Sequence, residues 1–417
     1  MTWQRRRWLA AAGAIVPALA TGLPARAEGA KPIRIGLSMA QTGPLSSAGK
    51  SGLLALQIWR EDVNARGGLL GRPVELVVYD DQSNPALVPG LYTKLLDVDR
   101  VDLLVAPYST NLTAPVMPLL KQRDRLVIGN FALDANARVR HDKYFNIQPW
   151  ASARDAIAPY LTLCARLGVR RLAILAADAE FAQNMAGGAR EGARAAGLEI
   201  VYDESYPPAT VDFSSMLRAI RARRPEAVFV ASYPSDSTAI VRAAGEIGVG
   251  SSVRLFGGGM VGLQNASHLE SLGSLLNGVV NYHTWVPGRT TDFPGMRDFL
   301  ARYQARARAA GTDPLGYYLP PFDYAIGQVL AQAVTATRSL DQAVLARYLH
   351  TQEVATVVGG IRFNALGEWA RPRTLYVQFQ GVKDGDLEQF RGPDRQVVVA
   401  PDGFRTGEVR PFADLRG

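Results

Sequence analysis

The chain is short of the residues that most chemistry needs. It has one cysteine, Cys164, and four histidines in 417 residues. A single thiol excludes any internal disulfide, so the fold has to stand on its core alone. Cys164 lies in APYLTLCARLG at helical spacing with Leu161 and Leu167, which reads as a small buried apolar residue rather than a nucleophile. The histidines, His141, His268, His283 and His350, are too far apart in the chain for a local ligand set, and no HExxH occurs. Also missing are a GxSxG elbow and any low-complexity tract. No metal or cofactor is expected, and no enzyme constellation is legible.

Acidic residues are absent from the first 27 positions, MTWQRRRWLAAAGAIVPALATGLPARA, which hold four arginines. A basic start, an apolar stretch from Trp8 to Leu23 and an Ala-x-Ala ending at Ala27 make residues 1–27 an export signal. Pro17 and the short apolar length argue against a permanent span. Arg5-Arg6-Arg7-Trp8-Leu9 resembles the twin-arginine type, so the expected destination is the periplasm, by that route. The formal charge of +8 falls to +4 once those four arginines are removed. No basic cluster is left to track a phosphate backbone, which excludes nucleic acid as a partner.

What is present is a repeat of apolar runs and helix-like stretches. IRIGLSM, VELVVYD, DLLVAPY, RLVIGNF, RLAILAAD, LEIVYDESY, AVFVASY, VRLFGGG and GVVNYH read as strands, with helices between them. That alternation gives an α/β fold with parallel sheets covered on both faces. It starts twice, at Ile33 and at Arg171, so two doubly wound lobes are expected rather than one wide sheet. YFNIQPWAS, GVVNYHTWVPG and VVGGIRFNALGEW read as three crossings forming a hinge. The expected lobes are 31–148 plus 283–355, and 149–282 plus 356–417.

Two motifs invite catalytic readings that their spacing does not support. TGPLSSAGKSG is similar to a phosphate-binding G-x-x-x-x-G-K-S loop, but five residues rather than four separate Gly43 from Gly49. Asp80-Asp81 ends a strand, where hydrogen bonding at a loop is a better reading than paired-carboxylate catalysis. The remaining chemistry is aromatic and hydroxylic, and it recurs after successive strands. Tyr108, Ser109 and Thr110 follow one strand, at the start of a helix expected to run to Leu120. Asn130 and Phe131 follow the next, Phe181 and Tyr233 follow strands of the second lobe, and Trp150, Tyr282, Trp285 and Tyr317-Tyr318 lie on crossings or loops. Open α/β sheets take ligands from this side. Aromatics wall in a small molecule, while hydroxyls and backbone amides hold its carboxylate.

Nearly all of the chain after residue 30 resembles the type I periplasmic substrate-binding proteins, specifically the branched-chain amino acid and amide-binding family that feeds ABC importers. The resemblance is carried by IRIGLSMAQTGPLSSAGKSGLLALQIWREDVNARGGLLGRPVELVVYDDQSNP, VAPYSTNLTAPVMPLL, DFSSMLRAIRARRPEAVFVASY and PPFDYAIGQVLAQAV. It implies two lobes that close on one small ligand and an inner-membrane ABC permease as partner, with the binding protein acting as a monomer. It also implies that Ser109 takes the ligand carboxylate, with Ala132 on the next loop and Phe181 and Tyr233 as aromatics of the second lobe.

Two positions depart from the family. Leu133 stands where a threonine is expected, and Gly259 or Met260 of FGGGMVG, read as a turn, stands where amino-acid binders place an acid for the ammonium. A buried ammonium without an acid would lose a charge-assisted bond. The expected ligand is therefore an aromatic or short fatty acid. The alternative is a branched-chain amino acid or amide, with Asp236 as the substitute acid. A ligand-sensing regulator or an enzyme of the same fold is the reading from another class.

Overall fold

The structure is a computed structural model and describes residues 31–208 and 210–415; the export signal expected at 1–27 lies outside them. The strands are β1 (Ile33–Met39), β2 (Val74–Asp80), β3 (Leu103–Tyr108), β4 (Val127–Asn130), β5 (Tyr144–Asn146), β6 (Arg171–Ala177), β7 (Glu199–Tyr206), β8 (Ala227–Ser232), β9 (Leu255–Met260), β10 (Val279–His283), β11 (Val354–Thr356), β12 (Gly359–Ile361), β13 (Leu375–Phe379) and β14 (Gln396–Ala400). The helices are α1 (Ser46–Ala65), α2 (Val88–Asp97), α3 (Thr110–Thr113), α4 (Met117–Gln122), α5 (Ala135–Val139), α6 (Ala153–Arg166), α7 (Glu180–Ala195), α8 (Ser214–Ala222), α9 (Pro234–Ile247), α10 (Ala266–Leu272), α11 (Met296–Ala307), α12 (Pro320–Thr337) and α13 (Gln342–Thr351).

Two sheets result. One is parallel, in the order β2-β1-β3-β4-β5, and the other runs β14-β13-β10-β9-β8-β6-β7. The central strands β3 and β8 are buried at every residue, as expected of strands with helices on both faces. The second sheet is mixed at one edge. β13 pairs antiparallel with β10, and β14 antiparallel with β13, so it is not wholly parallel. β13 and β14 both follow the last α-helix, so they fall outside the repeating strand–helix pattern.

After β10 the chain returns to the first lobe. α12 packs along α1, where Trp59 is 1% exposed and a Cβ on Gly327 would come within 2.0 Å of its indole. Glycine there lets the two helices approach closely, and burying a large aromatic is worth about 2–3 kcal/mol. Ion pairs from Arg302 to Asp62 and from Arg306 to Glu61 tie α11 to the same helix. The β11–β12 hairpin packs on α12, so the boundary expected between 355 and 356 falls inside a hairpin.

The connecting strands are bonded to one another. Arg373 N–H donates to the Pro149 carbonyl at 2.6 Å, Trp369 Nε1–H to the Ile147 carbonyl at 2.9 Å, and Asn146 Nδ2–H to Glu368 at 2.7 Å.

Candidate functional site

The helix expected to run from Ser109 to Leu120 is two short pieces, α3 and α4, because Pro115 and Pro118 interrupt it. What β3 delivers instead is a strained turn. Ser109 has φ 90° and ψ 153°, a region that normally only glycine occupies, at about 1–3 kcal/mol. Phe131, at the end of the neighbouring strand β4, has φ 61°. Two adjacent strands thus end in residues held in unfavourable backbone conformations by the structure around them.

Thr110 fixes these two ends together. Its hydroxyl accepts from Leu133 N–H at 2.9 Å and lies 3.4 Å from the Phe131 carbonyl. Ala132 and Leu133 are fully buried on that loop. Leu133 brings no hydroxyl to this loop, and the one on Thr110 serves the loop backbone.

Around this turn lies a continuous set of rings. Phe131 contacts Tyr318 at 4.4 Å between ring centroids, Tyr108 at 5.9 Å, Trp150 at 6.0 Å and Phe322 at 6.1 Å. Trp150 leads on to Tyr282 at 5.8 Å, Tyr282 to Phe181 at 6.3 Å, and Phe181 to Tyr233 at 6.4 Å. The set runs from the first lobe, over two connecting segments, into the second. Phe131, Trp150, Phe181 and Tyr233 are therefore together, with Tyr318 added from the loop before α12 and Phe322 from its first turn. The sequence singled out Tyr318 but missed Phe322, which reads as one more apolar helix residue.

The lobes are also bonded across this boundary. Asn111 Nδ2–H donates to the Tyr233 hydroxyl at 2.9 Å, and its Oδ1 accepts from Phe181 N–H at 3.1 Å. Asn184 Nδ2–H donates to the Leu133 carbonyl at 3.1 Å, and Arg138 pairs with Glu180. Asn111 had no sequence signal, since an asparagine in a helix start usually serves as a local cap.

Counting donors and acceptors shows what the site can hold. Ser109 Oγ and Trp150 Nε1 are buried and have no hydrogen-bond partner. Tyr108 O–H donates to Tyr318 Oη at 3.4 Å, and Tyr318 and Tyr282 hydroxyls lie 3.2 Å apart. Burial raises all three phenols above their ordinary range, so they keep their protons at neutral pH. Three O–H groups sharing two bonds leave one proton without an acceptor. The ring-lined site thus has three unmatched donors, which suits a carboxylate.

The acids are placed differently. Asp236, in the first turn of α9, is buried, and its carboxylate accepts from the Tyr206 and Ser235 hydroxyls, each at 3.1 Å. FGGGMVG is not a turn from its start: Gly259 and Met260 are the last residues of β9, paired with Ala231 and Ser232, and the chain turns only from Val261. Met260 N–H and carbonyl are both bonded to the Asn281 amide. Asp80 accepts from Gln41, Thr42 and Gln82 amides and from the Thr42 hydroxyl, a loop-holding role. In the phosphate-loop look-alike, a Cβ on Gly49 would lie 2.0 Å from the Ala40 carbonyl oxygen, so that glycine serves close packing. Among the described residues no group of three His, Cys, Asp or Glu could hold a metal ion, and no helix is long and apolar enough to cross a membrane.

With this geometry in hand, comparison with known proteins is informative. The family model described as periplasmic binding protein matches residues 32–386. Leu/Ile/Val-binding protein homolog 7 of Brucella abortus is 25% identical over 411 residues, covering 95% of this chain and 97% of its own. A branched-chain amino acid transporter substrate-binding protein from Streptococcus pneumoniae, solved with isoleucine, superimposes with a TM-score of 0.70 at 19% identity, covering 83% of this chain and 95% of its own. A solute-binding protein from R. palustris, solved with benzoate, gives 0.71 at 18% identity, covering 85% and 94%. At those identities the two structures speak to the fold alone.

Proposed function

We propose that this chain, which belongs to the periplasmic binding protein family, captures an apolar amino acid of the branched-chain kind. The coarse function follows from membership. The protein is the solute-binding component of an ABC importer, it works in the periplasm, its partners are a small molecule and a membrane permease, and it is not an enzyme. The amino acid is the finer step, and it reverses the order in which the sequence ranked the ligands. The full-length likeness to Leu/Ile/Val-binding homologs favours it over a simple aromatic or fatty acid.

The observation that carries the reading is the surplus of buried donors, on Ser109, Trp150 and the Tyr108–Tyr318–Tyr282 chain, inside a wall of rings. Donors without acceptors in an apolar setting take up a carboxylate, and the rings take up an aliphatic side chain. A lone donor bonded to a charged partner is worth about 1.5–3 kcal/mol, so Ser109→Ala should weaken binding roughly ten- to a hundredfold. A second reading, a simple aromatic or short fatty acid, draws on the lack of an acid at Gly259 and Met260. We read residues 1–27 as a twin-arginine export signal and the mature protein as a monomer. Periplasmic N-terminal sequencing and sedimentation check these two points.

Calorimetry against leucine, isoleucine, valine, benzoate and hexanoate tests the main proposal. Tight binding of a branched-chain amino acid supports it, while binding of only the simple acids overturns it in favour of the second reading. Conversion of any of these in solution would contradict a binding-only role.

A further inference from the structure

The floor of the site carries an opposite imbalance. Asn130, at the end of β4, is 3% exposed, and Asp323, in the first turn of α12, is 2% exposed. Asn130 Nδ2–H donates to Asp323 Oδ1 at 3.3 Å, while Asn130 Oδ1 is buried with no partner. An ionised carboxylate can only accept, so it fixes which end of the amide faces it. The Asn130 N–H group is held by Asp323, and the carbonyl oxygen is left as an unmatched acceptor. Asn130 pairs with Tyr108 across the β3–β4 register and precedes Phe131, which places it against the ring-lined site.

Asp323 is not itself the contact. A Cβ on Gly52 would fall 2.0 Å from its Oδ2, so α1 closes over that oxygen.

We propose that Asn130 Oδ1 is the group that selects a ligand bearing an N–H or O–H donor beside its carboxylate, and that Asp323 is the positioning residue that turns the Asn130 amide for it. This deepens the amino-acid reading and rests on it. It supplies from the first lobe the acceptor that Gly259 and Met260 do not supply from the second. Burial pushes the Asp323 carboxyl up to about 7, against the pull of the Asn130 N–H, so a ligand ammonium nearby favours its ionised, amide-holding form.

The test compares leucine, 2-hydroxy-4-methylpentanoate and 4-methylpentanoate, which differ only in the group on the α-carbon, by calorimetry on the whole mature protein. Wild type should prefer leucine to 4-methylpentanoate by about ten- to a hundredfold, the effect of an unmatched buried acceptor, with the hydroxy acid between them. Asn130→Ala should bring that ratio close to one. The near-isosteric Asp323→Asn, which can either accept or donate, should reduce it. Ser109→Ala should weaken all three ligands equally and leave the ratio unchanged, as would a general loss of folding or closure, so a ratio that collapses in Asn130→Ala reports on Asn130 itself. Equal binding of leucine and 4-methylpentanoate by wild type would overturn the inference while leaving the carboxylate site standing. So would a ratio preserved in both Asn130→Ala and Asp323→Asn. Failure of all three ligands to bind wild type would overturn the amino-acid reading itself, and the inference with it.

Discussion

Replacing Asn111 with alanine should loosen ligand binding without touching the ligand. Asn111 belongs to the first lobe, and its side-chain bonds reach two residues of the second: Nδ2–H donates to the Tyr233 hydroxyl at 2.9 Å, and Oδ1 accepts from Phe181 N–H and from the Tyr233 hydroxyl, each at 3.1 Å. A neutral hydrogen bond contributes about 0.5–1.5 kcal/mol net, so the pair contributes about 1–3 kcal/mol. These bonds exist only when the lobes are together, so the whole amount falls on the open–closed equilibrium, a factor of about 5–150. Where the unliganded protein is mostly open, apparent affinity drops by that factor and appears chiefly as faster release. The exposed Arg138–Glu180 pair crosses the same boundary but is worth little, since Arg138 is 73% exposed.

Calorimetry gives the equilibrium effect, and stopped-flow fluorescence of Trp150, itself in the ring set, gives the release rate. Tyr233→Phe removes the contacts of Asn111 with that hydroxyl, leaves the one with Phe181 N–H and keeps the ring on Phe181, so it should produce half the effect or somewhat more. The double variant should fall short of the sum, because the two residues share an interaction. Unchanged affinity and release rate in Asn111→Ala, with an intact thermal transition, would refute the idea that this side chain holds the lobes together.

Three further outcomes follow from the geometry. Gly49→Ala should lower stability by about 1–3 kcal/mol, since the added Cβ meets backbone that cannot rotate away, and ATP should give no thermal stabilisation of wild type. Cys164, buried with its thiol pushed up to about 12, should resist labelling in the native protein and react only after unfolding. Asp323, raised from 3.8 to about 7, keeps in the folded state a proton that the unfolded chain gives up. Stability should therefore fall as pH rises from about 4 to about 7 and level off above, by up to about 4 kcal/mol. In Asp323→Asn, urea unfolding across that range should show this part of the slope gone, and an unchanged slope would refute the assignment.

The alternation of apolar runs was enough to place β1 to β4 and β6 to β10 within a residue or two, because a strand buried on both faces admits little but apolar side chains. The same reasoning misjudged the ends. It ran a helix through Pro115 and Pro118, and it read FGGGMVG as a turn although it also read VRLFGGG as a strand; the strand reading holds, since β9 runs to Met260 with Gly257 and Gly258 inside it at φ of 118° and 128°. Three consecutive glycines look like a loop because glycine is the usual way to bend a chain. Here they admit neighbours instead: a Cβ on Gly258 would strike Phe229 at 2.5 Å.

Site residues divide along the same line. Aromatics after strands were legible one by one, because each follows an apolar run on the side where open sheets take ligands. Asn111 and Asp323 were not, because their roles depend on residues about 120 and 190 positions away. No local spacing encodes a donor left over after pairing. If the ligand carries an ammonium, as proposed, its partner was hidden for this reason. Glycine and methionine stand where the resemblance implies an acid, and that local pattern alone favours ligands without an ammonium. An acceptor need not be an acid, nor come from that lobe. A buried amide oxygen, turned by a carboxylate behind it, can read the same donor, and only the folded chain brings that pair together.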